Sequence, residues 1–259
     1  MVISLPQIEI FLLVLARVTG LFLEAPLFSS KTIPATLKIC LAIWISAILW
    51  FVVPVKNLPD SLIAFALAIA MEVFIGYIIG FVSSIVLQSA QAAGDILDMQ
   101  MGLSVANVLS PTTGAMSSIT GSLMYLIALI TFLIVDGHHM VLSAIHQSFV
   151  GIPIISFIDF SKPNILLEVI ELLKFFWIAA IQLSAPMLLL IFLSDFAFGI
   201  VSRVAPQVNV FMLGFQVKPS LGLFGLMLIS PLIISHIVTL IGQTSTELAK
   251  TIMILSGRL

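Results

Sequence analysis

The residues that most resemble a chemical centre are three of the four histidines and a nearby aspartate. Asp136, His138, His139 and His146 supply oxygen and nitrogen donors, and the last two are seven residues apart, on one face of any continuous helix. No HExxH pattern is present, and Gly137 interrupts the local helix. We therefore expect hydrogen-bonded histidines at a helix junction, and we predict neither a metal nor a cofactor.

Catalytic arrangements are also poorly supported. A serine–histidine pair for intramembrane proteolysis could be assembled only by matching His236 with a distant residue such as Ser184, and no spacing favours that match. Gly94-Asp95 lacks the GxGD signature of aspartyl intramembrane proteases, because no glycine stands two residues before Gly94. No P-loop, GxGxxG or CxxC motif occurs. We predict that the chain is not an enzyme.

One stripe of small and polar residues has a regular spacing. It recurs every four residues and so follows one face of a helix: Glu72, Gly76, Gly80, Ser84 and Gln88. The two glycines form a GxxxG pair, which allows another backbone to approach closely. The pattern is compatible with packing inside the chain and with an interface to another subunit. A proton-carrying role for Glu72 is a further, weaker alternative.

The elements that position these residues are predicted from composition. Of 259 residues, 61% are hydrophobic and 8% are charged, with a mean hydropathy of +1.26. Soluble chains have about 45–50% apolar and about 25% charged residues. Segments of about ten residues with alternating polarity, which a barrel would need, are absent. We predict an all-α integral membrane protein, and the net charge of −2 gives no indication of nucleic-acid binding.

About six hydrophobic stretches are long enough to cross a hydrocarbon core, which takes about 20 residues. They are 8–28, 33–55, 62–90, 119–150, 165–203 and 220–243. Two exceed the usual length and carry Asp136-Gly137 and Pro186 inside, so we expect them to be kinked, tilted or broken. The first stretch contains Arg17 and lacks a cleavage site, so we expect it to be retained.

With six spans, and with Arg17 and Lys174 set aside as lying within the segments, the other eight Lys and Arg residues divide four against four between the two sides, so charge does not orient the chain. Orientation would then come from partners, or the helices are not surrounded by lipid in the usual way.

Spaced motifs extend over nearly the whole chain. They comprise RVTGLFLEAPLF at 17–28, Ile33-Pro34 with Lys38, the Glu72 stripe, AGDILDMQMG at 93–102, Pro111, Gly137-His138, Ser148-Phe149, and PQVNVF at 206–211 with Lys218. This pattern resembles the FliR family of flagellar biosynthetic proteins, subunits of the type III secretion export gate. Residues 165–259 are similar to the two-helix Q subunit of the same apparatus, and 1–164 resemble its P subunit.

The resemblance implies a single export-gate subunit over residues 1–259. It implies a place in a helical, multi-subunit pore of the bacterial inner membrane at the flagellar basal body. The implied partners are the P- and Q-type subunits FliP and FliQ, FlhB and FlhA, unfolded flagellar export substrates, and membrane lipid. Alternatives are the homologous subunit of a virulence injectisome and, with less support, a small secondary transporter, whose internal symmetry we do not find.

An export pore must stay ion-tight when idle, and soft methionine side chains with a deformable loop suit that task. We expect the segment from about Ser104 to Gly121 to form a plug in the pore. Its predicted residues are Met99, Met101, Gly102, Ser104, Val105, Asn107, Val108, Leu109, Pro111, Gly114 and Met116. The alternative is a solvent-exposed linker.

A polar loop is predicted over residues 205–219. Given the resemblance, we expect Pro206, Gln207, Asn209, Phe211 and Lys218 to line the cytoplasmic entrance and contact FlhB. Asp195 and Arg203, eight residues apart near one helical face, are a candidate ion pair within or between subunits.

Overall fold

The described part of the chain is mostly helical. In the computed structural model the described residues are 5–30, 33–51, 53, 61–104, 118–156 and 163–257. Within these ranges there is no β-strand. The helices are α1 (Leu5–Glu24), α2 (Ala35–Trp50), α3 (Leu62–Met101), α4 (Ile119–Ile134), α5 (Gly137–Gly151), α6 (Pro163–Val204) and α7 (Val210–Leu255). The predicted all-α fold is confirmed.

Four helices, α1, α3, α6 and α7, are long and apolar enough to cross a membrane. Helices α4 and α5 reach that length only together, as a pair bent by 72°. Helix α2 has 16 residues, fewer than the about 20 that a span needs. Within the predicted stretch 33–55 the helix covers Ala35–Trp50, and residues 52, 54 and 55 lie outside the described residues. The chain is an all-α integral membrane protein.

The predicted break inside 119–150 is confirmed. Asp136 adopts the left-handed conformation, with φ 57°, between α4 and α5. Gly137 follows with no room for a side chain, because a Cβ there would collide with the Phe132 ring. Helix α6 instead runs unbroken through Pro186, since neighbouring groups can replace a hydrogen bond lost to proline inside a membrane protein.

Helix α3 extends beyond the predicted end at residue 90. It continues to Met101 and stops where Gly102 adopts φ +81°. There the Leu103 amide donates to the Asp98 carbonyl at 3.0 Å, a C-terminal cap of the kind that glycine permits. Residues 93–101 of the AGDILDMQMG motif are thus helical, because one or two carboxylates do not stop a helix that contains no proline.

Helix α7 begins earlier than predicted. The Asn209 side-chain oxygen accepts a hydrogen bond from the Met212 amide at 3.2 Å, which caps the helix that starts at Val210. The predicted loop over 205–219 is therefore wrong beyond Asn209, and Phe211 and Lys218 are helical. Pro219 did not mark a boundary, since it is accommodated inside α7.

The chain forms two compact units. The first comprises Met1–Ile85, Phe132–Leu173 and Ile241–Leu259. The second comprises Val86–Thr131 and Lys174–Leu240. In the first unit, α1 packs on α2 and on the beginning of α3. In the second, the end of α3 packs on α4 and α7, and the middle of α6 packs on α7.

Candidate functional site

A fully buried ion pair lies at the centre of the first unit. Arg17 of α1 is 0% exposed and Glu72 of α3 is 1% exposed. The Arg17 Nε donates to Glu72 Oε2 at 2.6 Å. The other two guanidinium nitrogens donate to Ser148 Oγ at 3.2 Å and to the Ile152 carbonyl at 3.0 Å. Each of the three guanidinium nitrogens of Arg17 therefore donates a hydrogen bond to a protein group, as a buried ion requires.

The same pair holds the chain that follows α5. The Ile155 amide donates to Glu72 Oε1 at 3.2 Å, so both carboxylate oxygens of Glu72 accept hydrogen bonds. The Phe149 ring lies 4.2 Å from the Arg17 guanidinium carbon, in cation–π geometry. These contacts join α1, α3 and the end of α5. They describe a structural ion pair, and no contact here distinguishes Glu72 as a proton carrier.

The glycines of the stripe pack inside the chain. A Cβ on Gly76 would collide with the Arg17 carbonyl, and one on Gly80 with the Leu21 carbonyl. Gly20 of α1 is equally close to the Val73 backbone. Of the alternatives left open by the sequence, packing inside the chain is therefore the one that Gly76 and Gly80 show. An interface between this stripe and another subunit stays a prediction.

The end of the stripe is less constrained. Ser84 is buried and donates to the Phe81 carbonyl of its own helix. Gln88 is half-buried. The hydrogen bond of Ser84 and the partial burial of Gln88 do not assign these two residues to an interface with another subunit.

The second unit holds the base of the predicted plug. Asp98, 4% exposed, accepts hydrogen bonds from Ser118 Oγ at 2.7 Å and from the Thr120 amide at 3.3 Å. Ser118 also caps α4, because its hydroxyl oxygen accepts from the Gly121 amide at 2.7 Å. A carboxylate near the end of α3 thus satisfies the amide groups at the beginning of α4.

Helices α3 and α4 also approach each other closely at this point. A Cβ on Gly94 would collide with the Gly121 backbone. A Cβ on Gly121 would meet the carboxylate of Asp95, one oxygen of which is buried without a hydrogen-bond partner among the described residues. The two glycines and Asp98 therefore hold the end of α3 against the start of α4.

The predicted plug residues divide between described and undescribed positions. Met99 is 72% exposed at the end of α3, whereas Met101 is 1% exposed and packs on Gly222. Gly102 contacts the Phe215 ring, and Ser104 is half-buried. The remaining plug residues lie outside the described residues: Val105, Asn107, Val108, Leu109, Pro111, Gly114 and Met116.

A cavity of about 450 Å³ opens beside the plug base, within the second unit. Methionine and phenylalanine side chains form much of its wall, among them Met99 and Phe211. Asp195 and Lys218 also line it and form an ion pair at 2.5 Å. Among the described residues Asp195 thus pairs with Lys218 of α7 rather than with Arg203. Pairing of Asp195 or Arg203 across subunits stays a prediction.

The predicted entrance residues do not form one loop. Pro206 and Gln207 are exposed in the short turn between α6 and α7. Asn209 caps α7, Phe211 is exposed on the first turn of α7, and Lys218 pairs with Asp195. The capping role could have been found in the sequence, because asparagine before an apolar run is a helix-start signal.

A charged cluster in the first unit was missed by the sequence analysis. Lys250 of α7 forms ion pairs with Glu168, at 3.0 Å, and with Glu171 of α6. Thr251 donates a hydrogen bond to Glu168 at 2.9 Å. The i, i+3 spacing of the two glutamates was a usable signal, but their partner lies far away in sequence.

Candidate residues for proteolysis and for metal binding lie at two separate places in the described structure. His236 hydrogen bonds to Gln182 at 3.2 Å. Asp136, His138 and His139 come together at the α4–α5 junction.

Comparisons with known proteins agree with the motif pattern. A family model described as bacterial export proteins, family 1, matches residues 8–244. The chain is 32% identical over 251 residues to the flagellar biosynthetic protein FliR of Bacillus subtilis (strain 168), covering 95% of each chain. It is 31% identical over 216 residues to FliR of Buchnera aphidicola subsp. Baizongia pistaciae, covering 83% of each.

A third relative is the Yop proteins translocation protein T of Yersinia pestis. The identity is 32% over 171 residues, which are 66% of this chain and 65% of the relative. The family model covers most of the chain, and the similarity to FliR extends over nearly all of it. The chain therefore belongs to the bacterial export proteins of family 1, together with the FliR proteins.

Proposed function

We propose that this chain is a core, pore-forming subunit of the flagellar type III export gate, needed for export of unfolded flagellar proteins and for flagellum assembly. The observation that carries the proposal is the similarity to a FliR protein over 95% of both chains. The gate would lie in the bacterial inner membrane at the flagellar basal body. Its other subunits would be FliP and FliQ, with FlhA and FlhB as neighbours.

Helix length supports a multi-subunit assembly. Helices α3, α6 and α7 have 40, 42 and 46 residues, or about 60, 63 and 69 Å at about 1.5 Å per residue. The hydrocarbon core is about 30 Å thick, and helices tilt by about 20° on average. Each helix is therefore about twice as long as lipid can surround.

The apolar surface extends along that whole length. Exposed large apolar side chains occur on α6 from Leu166 to Val204 and on α7 from Phe211 to Met253. These intervals correspond to about 57 and 63 Å of helix. Apolar surface beyond the bilayer needs a protein cover, which FliP- and FliQ-type subunits would supply.

A second candidate is the corresponding subunit of a virulence injectisome. The 32% identity to the Yersinia translocation protein T favours it. That similarity covers 66% of this chain, against 95% for the Bacillus FliR protein. The greater extent of the flagellar match favours the flagellar gate.

Within the gate, the segment from about Ser104 to Gly121 would form a plug that closes the pore when no substrate passes; residues 105–117 of it lie outside the described residues, and Ile119–Gly121 belong to α4. Three observations support this. Asp98 and Ser118, described residues on either side of 105–117, are hydrogen-bonded to each other. Exposed Met99 lies at the end of α3, beside a cavity that methionine and phenylalanine side chains line together with the Asp195–Lys218 pair. Methionine side chains adapt to irregular surfaces, which suits a seal that must also yield.

We also retain a division into a P-like part, residues 1–164, and a Q-like helical hairpin, residues 165–259. The support is that α6 and α7 are joined by a short turn and make antiparallel contacts, such as Asp195 with Lys218. Pro206 and Gln207 of that turn would line the cytoplasmic entrance and contact FlhB. A cysteine at Gln207 should crosslink to FlhB or a Q-type subunit, and crosslinks to neither would contradict this placement.

The function is tested by removing the chain from the bacterium that carries it. Cells lacking the chain should secrete no filament protein and should not swim, and the wild-type chain should restore both. Normal secretion in the deleted cells would overturn the proposal. If flagellar secretion is normal while effector secretion through a needle complex is lost, the injectisome alternative holds.

The plug is tested in the same cells by replacing residues 105–117 with a glycine–serine segment of equal length. Ser118 is kept, because it caps α4. We expect increased ion leakage through the membrane, measured as loss of membrane potential in growing cells. Unchanged leakage together with unchanged export would contradict the plug.

A further inference from the structure

The junction of α4 and α5 brings three metal-type donors together. His138 Nε2 lies 3.9 Å from Asp136 Oδ1, and His139 Nδ1 lies 3.7 Å from the same oxygen. All three donor atoms lie within 4.8 Å of one another. The cluster belongs entirely to the first unit.

These separations do not fit hydrogen bonds. Donor and acceptor atoms of a hydrogen bond lie about 2.7–3.2 Å apart, whereas the two imidazole–carboxylate distances are 3.9 and 3.7 Å. Among the described residues, neither imidazole makes a hydrogen bond, and His138 Nδ1 is buried without a partner. The expectation of hydrogen-bonded histidines is therefore not met. No hydrogen bond fixes either tautomer, so each ring can offer an unprotonated nitrogen.

The separations do fit a small cation. A point equidistant from the three donors lies at most about 2.5 Å from each, given the separations of 3.7, 3.9 and up to 4.8 Å. Zinc bonds are about 2.0–2.2 Å long for histidine nitrogen and carboxylate oxygen. An inward shift of about 0.4 Å per atom would complete the coordination. Exposed side chains can make such a shift by small rotations.

The backbone that carries the three metal-type donor side chains is itself held by hydrogen bonds and packing. Asp136 is in the left-handed conformation, and its carbonyl accepts hydrogen bonds from the His139 and Met140 amides at 2.9 and 3.4 Å. Gly137 is packed on the Phe132 ring. The turn is therefore ordered before any ion arrives, and binding would order only three side chains.

We propose that Asp136, His138 and His139 bind one divalent transition-metal ion of the zinc type. Two imidazoles and one carboxylate are a zinc ligand set, and a water molecule would take the fourth position. The Asp136 and His139 side chains are 71% and 70% exposed, so no other part of the described chain covers them. The positive end of the α5 dipole opposes a cation by only about 0.3–1 kcal/mol. The ion would brace the bend between α4 and α5.

The test is a titration of the full-length chain in detergent, with any affinity tag removed. Co²⁺ serves as a spectroscopic probe, since tetrahedral Co²⁺ absorbs in the visible region, and Zn²⁺ is then added to displace it. We expect saturation at one equivalent. His139→Ala and Asp136→Asn should each raise the dissociation constant by about tenfold or more, because even supporting residues of metal sites cost that much.

His146→Ala is the matched control. His146 lies on the same helix but outside the cluster, so its removal should leave the affinity unchanged. Far-UV circular dichroism checks that all variants keep their helix content. Wild-type protein without saturable Co²⁺ binding, equal affinity in His139→Ala, or an equal loss in His146→Ala would each overturn the proposal.

Discussion

At the scale of single residues, the Arg17–Glu72 pair shows how a charge can be tolerated inside an apolar protein. Both side chains are buried, and Ser148 and backbone groups near the end of α5 complete their hydrogen bonds. Removing one partner of such a pair leaves an uncompensated charge, which costs about 3–5 kcal/mol. Replacing both partners with apolar residues costs far less.

Glu72→Leu should therefore lower the thermal stability of the detergent-solubilised chain much more than Arg17→Met/Glu72→Leu does. Glu72→Gln keeps a hydrogen-bonding group of the same size, so it isolates the effect of the charge. Unfolding followed by circular dichroism gives the three midpoints. Equal midpoints for the single and double variants would mean that the buried charge contributes nothing.

Asp98 and Ser118 have a local role at the base of residues 105–117. Ser118→Ala removes the N-terminal cap of α4 and one hydrogen-bond donor to Asp98. A helix cap contributes about 0.5–2 kcal/mol to stability. We expect faster protease cleavage near the start of α4 in this variant. Ser122→Ala is the control, because among the described residues the Ser122 hydroxyl donates to the carbonyl of Ser118 and does not contact Asp98. Identical cleavage rates for the two variants would refute the anchoring role.

At the scale of elements, α1 and α3 pack closely because glycines, which have no side chain, stand where the two helices cross. Gly76→Ala should force the helices apart, since its Cβ would collide with the Arg17 carbonyl, and overpacking costs about 1–3 kcal/mol. Gly242→Ala is the matched change in α7, where a Cβ meets nothing within 4 Å. It should be neutral or stabilise by about 0.5–1 kcal/mol through helix propensity. Thermal midpoints that fall equally would contradict the close crossing.

Hydropathy predicts where helices exist better than where they end. The apolar runs and the Asp136-Gly137 break were readable, because they depend on local composition. The C-terminal end of α3 and the beginning of α7 could not be predicted in this way, because Asp98 and Lys218 resemble loop residues until their partners are known. Asp98 is satisfied by Ser118 and Thr120, and Lys218 by Asp195. Such pairings depend on tertiary contacts that no local pattern contains.

At the scale of the whole molecule, the same limit applies to the candidate sites. The glycine stripe predicted a close helix crossing but not its partner, which is α1 of the same chain. The Lys250 cluster joins residues of α6 and α7 that are distant in sequence. The motifs predicted the family, whereas the long exposed apolar faces of α6 and α7 became visible only in the structure.

Those faces lead to the most direct test of the export-gate assignment. The chain, 28.0 kDa by itself, should be extracted from its own bacterium in mild detergent and examined by native mass spectrometry. We predict a complex of much higher mass that contains FliP- and FliQ-type subunits with this chain. A stable monomer, or an assembly made only of copies of this chain, would contradict the assignment.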